Sequence, residues 1–168
     1  MAVAQQITDT LIENAISNAV LNVCGTLLQK PAKLVAKVPA ESIDLTAPVY
    51  QVIGNVGFVG KANGIVYLCM SEEFATFAVG AILGMSPAEV AFNGPEVLKD
   101  AIGEVTNMTV GGFKNALCDI GLPCKLTLPT IVRGDPLKVA AFKGCQRHLF
   151  RFECEGHALI ADIQLKAE

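Results

Sequence analysis

The chain has 168 residues and a mass of 17.7 kDa, is 52% hydrophobic and 17% charged, and carries a formal net charge of -3 with a mean hydropathy of +0.46. This length and composition suit one folded domain with a sizeable core and exclude a disordered chain. The acidic balance, with no cluster of five or more basic residues, excludes an extended surface for nucleic acid. A membrane-spanning helix needs about 20 nearly uninterrupted apolar residues, whereas the run from Phe74 to Met85 is shorter and holds Thr76. The start, Met1-Ala2-Val3-Ala4-Gln5-Gln6, lacks a basic segment leading into an apolar one, so a cytoplasmic address is expected. Apolar surface in excess of a monomer's needs predicts a homo-oligomer.

In chain order, Thr8 or Asp9 caps a helix over 8–28, with Leu11, Ala15, Ile16, Ala19, Val23 and Leu27 at helical spacing. Residues 29–47 give no clear prediction. Val49 to Val59 and Ile65 to Met70, separated by Asn63-Gly64, read as a strand pair. Ser71-Glu72-Glu73 opens a second helix with acidic residues where the helix dipole favours them, and Gly84 ends it in a left-handed cap. Met85 to Glu89 reads as a short helical turn. The third and longest helix begins at Asn93-Gly94-Pro95-Glu96 and ends before Gly121.

Four strands are then predicted over 125–133, 137–143, 147–154 and 157–166, punctuated by Gly, Pro and charged turns. Alternation puts Phe150, Phe152 and Cys154 on one face and Leu149, Arg151 and Glu153 on the other, while Leu159, Ala161, Ile163 and Leu165 share a face. The fold class is therefore α+β, an antiparallel-rich sheet packed against long helices. A long helix followed by a strand pair occurs over 8–70 and again over 95–166, which suggests a duplicated αββ unit within one domain spanning 1–168.

At 100° per residue, Leu98, Ala101, Ile102, Val105, Met108, Thr109, Gly112 and Ala116 of the third helix form one stripe, read as its buried face. Asp100, Gly103, Glu104, Asn107, Gly111 and Lys114 lie opposite. Glycine in an exposed helix costs about 1 kcal/mol relative to alanine, so two of them on that face call for a reason such as close approach of a partner. Glu104 and Asn107 share that face one turn apart and can reach one small site. A carboxylate pairs with a cation, and a neutral amide orients a water. Phosphoryl transfer to water demands mainly such positioning.

The stretch from Asp100 to Leu117, with Gly103-Glu104, Asn107 and Gly111-Gly112, followed by Leu128-Pro129-Thr130-Ile131-Val132-Arg133-Gly134, resembles the signature of the CheC/CheX family of chemotaxis phosphatases, most nearly its CheX branch. Gly64-Ile65-Val66-Tyr67-Leu68 with Ser71-Glu72-Glu73 is similar to that family's middle strand and helix. The resemblance implies a CheC-like fold and hydrolysis of the aspartyl phosphate on a CheY-type receiver domain. It implies that Asn107 orients the attacking water and that Glu104 pairs with the receiver's lysine. Mg²⁺ would sit on the receiver and not on this chain, and the chain would be a homodimer through an exposed strand of its C-terminal half. The shared face itself makes Asp100, Gly103, Gly111 and Lys114 the candidate partner-binding residues, Asp100 read mainly as a surface residue and Lys114 as a rim contact to an acidic receiver surface. A CheC-like chain would carry a second Glu-x-x-Asn in its first helix, but here Glu13 is followed three on by Ile16 and Asn18 is preceded three before by Ala15. One active helix is expected.

Two other readings use the same residues differently. A non-catalytic receiver-binding or adaptor module of the chemotaxis and flagellar-switch system needs only the affinity of that face. A thiol enzyme would draw on the six cysteines, but no cysteine neighbours His148 or His157 in sequence, and the cysteines read as free buried thiols. No metal site is expected, because Cys118, Cys124, Cys145, Cys154, His148 and His157 match no ligand spacing.

Overall fold

A computed structural model describes residues 7–39 and 50–167. Helix α1 (Asp9–Val23) starts where the Thr8 hydroxyl accepts a hydrogen bond from the Leu11 amide at 3.1 Å, so Thr8 rather than Asp9 is the cap. Ile12, Ala15, Ile16, Ala19, Val20 and Val23 form its buried stripe. Its last turn, Cys24–Leu28, widens into a π-helix and stops at Gln29, which takes a left-handed φ of 55°. By length and composition, the span Asp9–Leu28 is apolar enough to cross a bilayer, which the sequence reading did not anticipate. Its apolar stripe is instead spent on the core beneath it.

The strands are β1 (Ala32–Val38), β2 (Tyr50–Gly60), β3 (Gly64–Met70), β4 (Cys124–Leu126), β5 (Thr130–Leu137), β6 (Cys145–Cys154) and β7 (His157–Lys166). They build one antiparallel sheet in the order β1-β6-β7-β3-β2, with β4 and β5 sharing the outer edge of β2. The predicted pair is the β2–β3 hairpin, whose turn is tied by reciprocal bonds between Asn63 and Gly60. Val49 and residues 40–47 lie outside the described residues. The β2–β3 and β6–β7 hairpins of the two halves meet at the β3–β7 pair, and the outer strands cross over: β1 pairs with β6 of the second half, and β4 and β5 pair with β2 of the first.

Helix α2 (Glu72–Leu83) is capped by Ser71 and ends at Gly84 with φ 68°, as the sequence predicts. The expected short turn is a fuller helix, α3 (Pro87–Asn93), and α4 (Pro95–Asp119) is the longest. Helices α1, α2 and α4 cover the sheet face that carries Val56, Phe58, Leu68, Phe150, Phe152 and Ile163, all fully buried. Burying each such side chain contributes about 1.5–3 kcal/mol. The predicted alternation in β6 holds, with Phe150, Phe152 and Cys154 in this core and Leu149 on the other face beside Tyr50, Ile53, Cys69 and Ile160.

The strand predicted over 137–143 is not one. After β5 the chain crosses the back of the sheet, and side chains satisfy its backbone: Arg147 donates to the Val139 carbonyl at 2.9 Å, and Gln164 bonds the Ala140 carbonyl and the Phe142 amide. The predicted strand over 125–133 is broken in two at Thr127-Leu128-Pro129, where proline has no amide to give to a ladder. The stripe on α4 also differs from the wheel. Met108 and Gly112 are exposed, whereas Thr106, Val110, Phe113 and Leu117 are buried, because α4 packs against α1 on one side and the sheet beneath. A wider buried arc follows from two neighbours at an angle.

Candidate functional site

The height of α4 above the sheet is set at one spot. A Cβ on Gly54 of β2 would lie 2.2 Å from the Thr106 Oγ1 and 3.1 Å from the Ile131 Cδ1, so only glycine lets helix and sheet meet there. The buried Thr106 hydroxyl donates to the Ile102 carbonyl at 2.7 Å, and Thr109 does the same to Val105. Both hydroxyls are thus satisfied within the helix, and their neighbours at 104 and 107 are directed outward. On the α1 side Gly112 serves similar packing: a Cβ there would stand 3.1 Å from the Ala19 Cβ.

Beside this contact lies an open groove of about 500 Å³, lined on the helix by Glu96, Lys99, Asp100, Gly103, Glu104 and Asn107, and on the sheet edge by Leu128, Pro129 and Ile131. Glu104 and Asn107 are exposed on its wall, and no hydrogen bond or ion pair from a described residue restrains either side chain. Asp100 is exposed one turn before Glu104. Gly103, expected on the open face, is buried, yet a Cβ there would meet nothing within 4 Å, so it forms bare backbone at the groove floor. Three carboxylates against one ammonium leave the groove acidic, which suits a cationic group on whatever enters it.

Of the residues expected on this face, the structure brings Asp100, Gly103, Glu104 and Asn107 together and leaves two apart. Gly111 faces Leu126 at 4.0 Å, and Lys114 is half-buried beside Cys124. The thiol of Cys124 is pushed up by burial and by Cys118, with Lys114 pulling it the other way. Sequence reasoning missed Glu96, Lys99, Leu128, Pro129 and Ile131 as groove walls. The first two were legible, since Glu96 and Lys99 stand four residues before Asp100 and Gly103.

The other candidates read as structural. Burial pushes the Cys24 thiol up to about 12 and raises those of Cys69 and Cys154, which keeps them protonated and poorly nucleophilic at neutral pH. All six cysteines are free. His157 stacks on Phe77 with ring centroids 5.3 Å apart, and His148 is buried in β6 with its pKa lowered by burial. In α1, Ala15 and Ile16 are buried, so neither incomplete Glu-x-x-Asn register offers a second site.

The architecture, an antiparallel sheet under long helices, is shared by solved chemotaxis proteins of the CheX and CheC-like class. CheX of Vibrio vulnificus superposes with a TM-score of 0.77 at 22% identity, covering 92% of this chain and 96% of that one. The structure of a CheX-CheY-BeF3-Mg²⁺ complex from Borrelia burgdorferi matches with a TM-score of 0.73 at 18% identity, covering 93% and 98%. The family described as chemotaxis phosphatase CheX matches residues 52–153, and this chain belongs to that family. The CheY-P phosphatase CheX of Thermotoga maritima is 33% identical over 88 residues, 52% of this chain and 54% of the relative, so the match spans about half the length of that relative.

Proposed function

We propose that this chain hydrolyses the aspartyl phosphate of a CheY-type receiver domain. The observation that carries the reading is the pair Glu104 and Asn107, exposed and unrestrained one helical turn apart beside a groove on a helix whose height is fixed by Gly54. A relative of 33% identity named as a CheY-P phosphatase supports the substrate class. Asn107 inserts its amide beside the phosphoryl group and orients a water in line with the phosphorus. The water oxygen bonds to phosphorus as the phosphorus–aspartyl oxygen bond breaks, which releases inorganic phosphate and restores the receiver's carboxylate. Glu104 pairs with the receiver's lysine, in keeping with the acidic groove, and fixes the docking. The chain contributes position and electrostatics; the receiver contributes Mg²⁺ and the reacting group.

The test is the decay of phosphate on a CheY-type receiver from the same organism, in Mg²⁺, with wild type, Glu104→Ala and Asn107→Ala. Acceleration by wild type that both variants lose is the expected result. Phosphorylation-dependent binding with no change in phosphate lifetime would make the chain an adaptor instead. The same reading places the protein in the cytoplasm as a homodimer. In the C-terminal half the outer edge of β5 pairs with no strand among the described residues, which leaves it for such pairing, and sedimentation of wild type against Val132→Lys measures it.

A further inference from the structure

Leu128 is 87% exposed on the wall of the groove that holds Glu104 and Asn107, and it is not a loose surface residue. The Thr127 amide donates to the Gly57 carbonyl at 2.8 Å, and the Thr127 hydroxyl accepts from the Gly57 amide at 2.9 Å. On the other side, Thr130 and Ile131 pair with Asn55 and Gly54 of β2. Leu128 therefore projects from a three-residue step between two strand pieces that are both bonded to the same strand, with Pro129 restricting the backbone further. Core packing does not use its side chain, and an apolar group held rigidly in water beside two unrestrained polar ones has the anatomy of an interface anchor.

We infer that Leu128 is the apolar docking residue for the receiver, seated in a hydrophobic depression beside the receiver's phosphorylation site while Glu104 and Asn107 take the polar contacts. The inference rests on the proposed function for the identity of the partner. The acidic groove beside Leu128 supports that partner, because the surface that meets it must present a cation next to an apolar patch. Leu128 positions the reaction without touching the reacting atoms. Its loss acts on KM and leaves kcat alone.

The experiment measures two quantities for wild type, Leu128→Ala, Leu128→Asp and Phe92→Ala: the dissociation constant for a beryllofluoride-activated receiver, and kcat and KM for phosphate release. Phe92, 91% exposed and outside the groove lining, controls for surface apolarity in general. Leu128→Ala is expected to weaken binding and raise KM on the order of tenfold with kcat within about twofold, Leu128→Asp to do more, and Phe92→Ala to do neither. Wild-type binding and KM in both Leu128 variants would overturn the anchor and leave the phosphatase reading intact. Binding by wild type without acceleration would overturn the phosphatase reading, and the dissociation constants would still judge Leu128. No binding by wild type to the receiver would overturn both.

Discussion

Two polar constellations lie on opposite sides of the sheet, and they are built in opposite ways. On the back, Arg147 is 13% and Asp162 1% exposed in their side chains, and the guanidinium donates to both carboxylate oxygens at 2.7–3.2 Å. Its remaining reach goes to the Val139 carbonyl, while Gln164 ties down the same crossing segment. On the front, Glu104 and Asn107 are exposed and have no partner among the described residues. The back pair is satisfied internally and holds the fold, whereas the front pair keeps its hydrogen-bonding capacity for something outside. Substitution should separate the two roles cleanly.

The largest expected effect on stability is from Arg147→Met, which strands a buried carboxylate and should cost about 3–5 kcal/mol in chemical denaturation. Activity per folded molecule should persist, and a loss of kcat in the folded fraction would refute the division. Asn107→Ala should do the reverse: a drop of about 100-fold or more in kcat with an unchanged melting temperature. Gly54→Ala couples the two regions, because the new methyl meets Thr106 at 2.2 Å and must displace α4. A loss of about 3 kcal/mol, seen as about 10 °C in Tm, should come with impaired phosphate release. A stable and fully active Gly54→Ala would show that helix height is not critical.

The smallest effect concerns pH. Burial lowers the pKa of His148 in the folded state, the Asp9 carboxylate opposing and Lys37 assisting. The unfolded chain therefore takes up the proton first, so stability is full above about pH 6.5 and declines as the pH falls through the lowered folded value. His148→Gln should flatten that slope in urea titrations between pH 7 and 5, and an unaltered slope would count against this origin.

Much of this molecule is legible in its sequence because the signals are local. Thr8, Ser71 and Gly84 cap helices by their own chemistry, and β6 alternates because one face meets helices. Glu104 and Asn107 share a face through helical periodicity alone. The misses involve distant partners. Residues 138–143 carry strand-like side chains, but their backbone partners are Arg147 and Gln164. Met108 fits the apolar stripe, yet the arc that α1 and the sheet bury runs through Thr106, Val110 and Phe113 instead. Leu128 reads as one residue of a strand until its exposure is seen.

The contact between Gly54 and Thr106 also constrains how such a chain can diverge. A methyl at 54 is tolerable only after residue 106 has shrunk, and the reverse order passes through a clash. Positions far apart in the chain must therefore change in sequence, the helix before the strand. Thr106→Gly should be a permissive background in which Gly54→Ala, harmful alone, loses most of its cost, with only the 3.1 Å approach to the Ile131 Cδ1 left to relax, giving these two sites a history in which one order of steps is open and the other closed.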